Sequence, residues 1–124
     1  MNSRLELAAD AILTEFCRKH DINLAWQPQF KFDSQRKWRS DFLVYHELDS
    51  AWEHPGNGVI IEIEGITWYG NHLGRHQSAK GFEADAEKYN RAQILGWKVL
   101  RYTEGMLAKG CLDKDLMEFF CVAS

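Results

Sequence analysis

The chain has 124 residues, 45% hydrophobic and 27% charged, which is the composition of an ordinary globular domain with room for one core. No stretch approaches the ~18 unbroken apolar residues of a membrane span, so membrane partners are not expected. A formal net charge of -3 would disfavour nucleic acid if it were evenly spread, but Arg36, Lys37 and Arg39, Arg75 and Lys80, and Lys88 and Arg91 gather the positive charge locally.

Ser3 is placed to cap a first helix, with Glu6 at the capping-box position, and Leu5, Ala8, Ala9, Ile12, Leu13 and Phe16 recur at helical spacing as far as about Lys19. Residues 1–6 turn acidic early and hold no apolar leader segment, from which a cytoplasmic location is expected. Two strands, 29–32 and 37–45, are predicted around the polar turn Asp33-Ser34-Gln35-Arg36. Period-2 alternation in the second puts Trp38, Ser40, Phe42 and Val44 on one side and Arg39, Asp41, Leu43 and Tyr45 on the other. The loop from His46 to Gly58 is too short for a crossover helix, so the strand after it is expected to run antiparallel.

That strand, Val59-Ile60-Ile61-Glu62-Ile63-Glu64, is rich in β-branched residues and bounded by glycines. Alternation sends Ile60, Glu62 and Glu64 to the same face, and a carboxylate buried there is costly unless it is paired, protonated or bound to a metal. The stretch from Ile66 to Gly81 mixes glycine, histidine, aromatic and basic residues without periodicity, the composition of a functional loop. A helix follows over 82–95 and ends at Gly96, then a strand over 97–102 that the helical crossover makes parallel to Val59–Glu64, and a last helix over about 113–122. The three cysteines, Cys17, Cys111 and Cys121, are widely spaced and read as reduced thiols.

The predicted order is thus helix, three strands, helix, strand, helix, an α/β domain over residues 1–124 with a mixed sheet of about four strands. Asp41 on the second strand and Glu62 and Glu64 on the third would meet at one sheet edge, and hard oxygen ligands of this kind select Mg²⁺ or Mn²⁺.

At Arg36-Lys37-Trp38-Arg39-Ser40-Asp41-Phe42, Ile61-Glu62-Ile63-Glu64-Gly65, Gly74-Arg75-His76 through Lys80-Gly81-Phe82-Glu83, Asp85-x-Glu87-Lys88-Tyr89-Asn90 and Leu95-Gly96-Trp97-Lys98-Val99-Leu100-Arg101, the chain resembles the PD-(D/E)XK nuclease superfamily. The likeness is to small phage and bacterial endonucleases similar to very-short-patch repair enzymes, and it spans nearly the whole domain. It implies a restriction-endonuclease-like fold and Mg²⁺- or Mn²⁺-dependent hydrolysis of DNA phosphodiesters in a bacterial or phage-infected cell. A non-catalytic DNA-binding module on a degenerate nuclease fold is the alternative. By the resemblance Asp41 and Glu62 are metal ligands, and Glu6 matches a first-helix acid that reaches the same metals. Glu64 stands where the superfamily has a lysine, so it would serve as a general base or metal ligand, with Lys80 or Lys88 supplying the missing cation. His76 would take a proton from water or give one to the leaving oxygen, or else contact phosphate or pack. Arg39, Arg75, Lys80, Lys88 and Arg91 would hold the DNA backbone. A homodimer is one way for so small a domain to cut both strands.

Overall fold

The computed structural model describes residues 4–49, 54–65, 68–69, 72–73 and 79–121, with backbone only at 68–69 and 72–73. Helix α1, Arg4–His20, buries Ala9, Leu13 and Phe16 along one stripe. Its last turn carries Arg18, Lys19 and His20, which suit the negative end of the helix dipole. Asp21 follows with φ 51°, and the Ile22 N–H returns to the Cys17 carbonyl at 3.2 Å, which closes the helix by a left-handed residue at C′.

Strands β1 (Leu24–Phe30), β2 (Ser40–His46), β3 (Gly58–Glu64) and β6 (Lys98–Thr103) form one sheet in the order β1-β2-β3-β6. The first two junctions are antiparallel and β3–β6 is parallel, as the loop and crossover lengths require. Two short strands, β4 (Trp68–Tyr69) and β5 (His72–Leu73), pair separately within the stretch read as an irregular loop. Helix α2 (Ala79–Ile94) is the crossover; Gly96 follows its end, and a φ of 94° there lets the Trp97 N–H reach the Ala92 carbonyl at 3.0 Å.

The fold is α/β, with the four-stranded mixed sheet between two helical layers. On one face Leu24, Phe42, Val44, Val59, Ile61 and Tyr102 pack with Ala9, Leu13 and Phe16 of α1, with Leu107 of α3 (Glu104–Ala108) and with Leu112 and Leu116 of α4 (Cys111–Leu116). On the other, Phe30, Phe32, Leu43 and Ile60 pack with Ala92 and Trp97 at the end of α2. Glu62 and Glu64 alternate with Ile60, which places them on the α2 side.

Several boundaries differ from expectation. The first strand runs over 24–30 and not 29–32, because Pro28 lies on an edge strand, where a missing N–H is tolerated. The second begins at Ser40, since 33–39 form a bend in which the Asp33 carboxylate accepts the Gln35 N–H at 2.8 Å. Helix α2 starts at Ala79 and not Phe82. Helix α3 has no counterpart in the expected order; Thr103 caps it by accepting the Met106 N–H at 3.2 Å. The last helix begins at Cys111 and passes into a π-helical turn, Met117–Cys121. Cys17, Cys111 and Cys121 are free thiols. Among the described residues no helix is long and apolar enough to cross a membrane.

The sheet and α4 are tied by the Tyr102 hydroxyl, which donates to the Asp115 carboxylate at 2.7 Å from a ring that is 1% exposed. Tyr102→Phe is expected to lower stability by about 1.5 kcal/mol in urea unfolding, the size of a hydrogen bond to a charged acceptor that keeps some water.

Candidate functional site

Asp41 sits where the sheet opens. The β1–β2 ladder pairs Pro28 with Phe42 and Phe30 with Ser40 but skips the Gln29–Asp41 position between them, and Gln29 there has φ 53°. A long polar side chain in the left-handed region is an unusual conformation for the backbone to hold, of the kind found near functional positions. The β2–β3 ladder ends at Phe42–Ile61. Beyond that point the Asp41 side chain takes the place of the backbone, accepting the Ile63 N–H on Oδ2 at 2.7 Å. One carboxylate oxygen thus steadies β3 as it leaves β2.

Glu62 is 6% exposed and lies on the same side of β3 as Ile60. Burial pushes its carboxyl up to about 7; the Lys88 ammonium opposes this, and Asp41 adds to it by its charge and by a side-chain hydrogen bond to the protonated acid. Lys88 reaches down from α2, with Nζ 3.2 Å from Glu62 Oε1 and donating to the Arg39 carbonyl at 2.8 Å. Oε1 is fully enclosed and has no well-aligned hydrogen bond, so its compensation is the charge of Lys88. Glu6 approaches from α1; burial raises its carboxyl first and the charge of Asp41 second. Asp41 therefore interacts with acids on both sides of it.

The other expected site residues are distributed differently. Glu64 does not join Asp41 and Glu62: Arg101 of β6 donates to it from Nε at 2.6 Å and pairs with it through Nη2. Arg91 pairs with the buried Asp33 at 2.9 Å, a contact that ties α2 to the β1–β2 bend. Arg39 is exposed and donates to the Gln29 carbonyl at 3.4 Å. Lys80 is exposed in the first turn of α2. Arg75 and His76 lie outside the described residues. Of the two lysines expected to replace the missing strand lysine, it is Lys88 that reaches the acids.

Two residues of the site escape a reading of the sequence. Arg101 is the direct β6 neighbour of Glu62, and its guanidinium carbon lies 4.3 Å from the centroid of the Tyr89 ring. Lys88 Nζ lies 5.5 Å from the centroid of the same ring, so both cations are in contact with Tyr89. Burial and then the charge of Glu62 raise the Tyr89 hydroxyl, which stays a neutral phenol. Alternation in β6 already puts Arg101 on the Val99 side; its match with Glu62 needs the parallel register.

Among the described residues no three His, Cys, Asp or Glu side chains are arranged to hold a metal ion. A two-acid site is what the geometry offers. Burial is the first cause of the raised Glu62 carboxyl and the charge of Asp41 adds to it, so a cation beside the two would favour their charged forms. Mg²⁺ accepts such a site, since it keeps several waters and takes one or two carboxylates with the rest of its shell from substrate phosphate. No family model matches the chain, and no curated protein or solved structure matches it either.

Proposed function

We propose that the chain is a metal-dependent endonuclease that hydrolyses DNA phosphodiesters at the Asp41–Glu62 end of the sheet. The observation that carries this is the placement of Lys88: a buried glutamate beside an aspartate at the opening between two strands is met by a lysine from the adjoining helix. A sheet-end acid pair with a cation at hand is the equipment of phosphodiester hydrolysis, and the lysine missing at position 64 is supplied from α2.

Asp41 and Glu62 would hold Mg²⁺ or Mn²⁺, which supplies Lewis-acid polarisation of the phosphate and a water of lowered pKa. Asp41 is fixed for this by the Ile63 N–H, which donates to Oδ2. Lys88, held by the Arg39 carbonyl, keeps its ammonium on the same side and offsets charge that grows on the phosphate oxygens. Glu6, behind Asp41, adds negative charge that favours a cation. Lys80 and Arg39 are exposed and suit backbone phosphates. His76 and Arg75 remain candidates for proton transfer and phosphate contact. Cutting both strands at once would take a second copy; a single domain would nick.

A non-catalytic DNA-binding module is the second reading, favoured by the fact that Lys88 already compensates Glu62 without any metal. Purified protein is assayed with Mg²⁺ and with Mn²⁺ on plasmid, branched and mismatched DNA. Cleavage that needs the metal and is lost in Asp41→Asn is expected. Salt-dependent binding with no cleavage in either metal would favour the binding module, and activity surviving both Asp41→Asn and Glu62→Gln would remove the assigned site.

A further inference from the structure

Resting on the DNA reading above, we infer that Arg101 is a binding position for a backbone phosphate beside the Asp41–Glu62 pair, and that Glu64 occupies its guanidinium until that phosphate displaces it. The parallel register sets Arg101 against Glu62 and Thr103 against Glu64, so Arg101 reaches Glu64 diagonally across two strands. Both of its contacts, from Nε and from Nη2, go to a single oxygen, Oε1. A guanidinium fork matches two oxygens of a carboxylate or phosphate, and its contacts with Glu64 use one.

Three further features mark this cation as a ligand position more than a strut. The Arg101 side chain is 45% exposed while Glu64 is 24% exposed, so an oxyanion arriving from solvent meets the arginine first. The Tyr89 ring, with its centroid 4.3 Å from the guanidinium carbon, holds the group by a cation–π contact. Lys88 Nζ lies 5.5 Å from the centroid of the same ring, so a second positive charge stands near Arg101 at the acid pair. Half-exposed ion pairs are weak, which makes Glu64 displaceable. The acid that stands in place of a lysine thereby acquires a role. It screens a phosphate-binding arginine when no DNA is present, and a chain that is acidic overall is selective for a ligand able to compete with it.

The experiment is binding of a fluorescein-labelled single-stranded and duplex oligonucleotide in EDTA, read by anisotropy across a salt series, with far-UV circular dichroism to check each fold. Glu64→Gln is expected to tighten binding roughly 5- to 10-fold, as a competing carboxylate is removed. Arg101→Gln is expected to weaken it by about 10-fold and to reduce the slope of log K against log salt by roughly 0.9, one phosphate contact. In the Arg101→Gln background Glu64→Gln should add nothing. Should Arg101→Gln not fold, Arg101→Lys replaces it; charge without the fork should give an intermediate affinity and blunt the Glu64→Gln gain. Equal binding by wild type and Glu64→Gln overturns the inference, as does a gain that persists without Arg101, which would be general charge reduction. Absence of binding by both proteins overturns it as well. The endonuclease reading is decided separately, by whether wild type cleaves with Mg²⁺ or Mn²⁺.

Discussion

Glu62→Gln is expected to flatten the fall in stability that the wild type shows as pH rises from about 4.5 to about 7, the interval over which burial has moved this carboxyl. In the folded chain the acid keeps its proton until about 7, whereas in the unfolded chain it gives it up near 4.5. Between these values the folded state binds more protons, so stability declines with pH, by roughly 3 kcal/mol if the whole shift were expressed. An amide has no proton to lose and carries no such penalty. Glu6, also raised, contributes in the same direction but is present in both proteins, so the difference between their urea-unfolding profiles isolates Glu62. Identical pH profiles would mean that Glu62 is charged at little cost. If the chain cleaves DNA as proposed, the same variant is expected to lose at least about 10²-fold of that activity, the scale on which a lost charge-stabilising group is felt. A variant that is no less stable at pH 7 yet lacks the proposed activity would separate the site's chemistry from the integrity of the sheet.

The core of this site is readable from residue order, and its completion is not. Alternation in Val59–Glu64 assigns Glu62 to the Ile60 face, Gly96 marks the end of α2, and loop length fixes β2–β3 as antiparallel; each depends on local rules of period and turn chemistry. Gln29 shows the limit. Nothing in Pro28-Gln29-Phe30 announces a φ of 53°, which falls at the one position the β1–β2 ladder skips, opposite Asp41. The separation of Glu64 from Glu62 is likewise hidden. Both face the same side, but one meets Lys88 from a helix and the other Arg101 from a strand, and these partners lie 26 and 37 positions away, respectively, in the sequence. Arg91 illustrates the converse. A basic residue on a helix reads as solvent-facing or DNA-facing, whereas the buried Asp33 claims it.

Lys88→Met is expected to be the most damaging single change outside the hydrophobic core. Lys88 and Glu62 side chains are 17% and 7% exposed, so their pairing is screened little by water, and removing one partner of such a pair typically costs about 3–5 kcal/mol when the other stays charged. Glu62 has an escape, which is to keep its proton. Lys88 is what pulls its carboxyl down against burial, so without the lysine the acid titrates still higher. The destabilisation should accordingly be small near pH 6, where Glu62 is protonated with or without the lysine, and grow as pH rises above about 7, where only the wild type accommodates the anion. The methionine keeps the length and apolar stem of the lysine beside Tyr89, so lost packing does not explain the effect. On the proposed endonuclease reading, cleavage at neutral pH should fall about 10²- to 10³-fold, because a protonated Glu62 would be a poor metal ligand and the positive charge offered to a phosphate would be gone. Raising the pH should restore little of it, since the second loss is not a matter of protonation. If Lys88→Met instead unfolds at the same urea concentration as wild type from pH 6 to 9, then Glu62 is solvated well enough to stand alone, and the lysine is an ordinary surface contact to the Arg39 carbonyl.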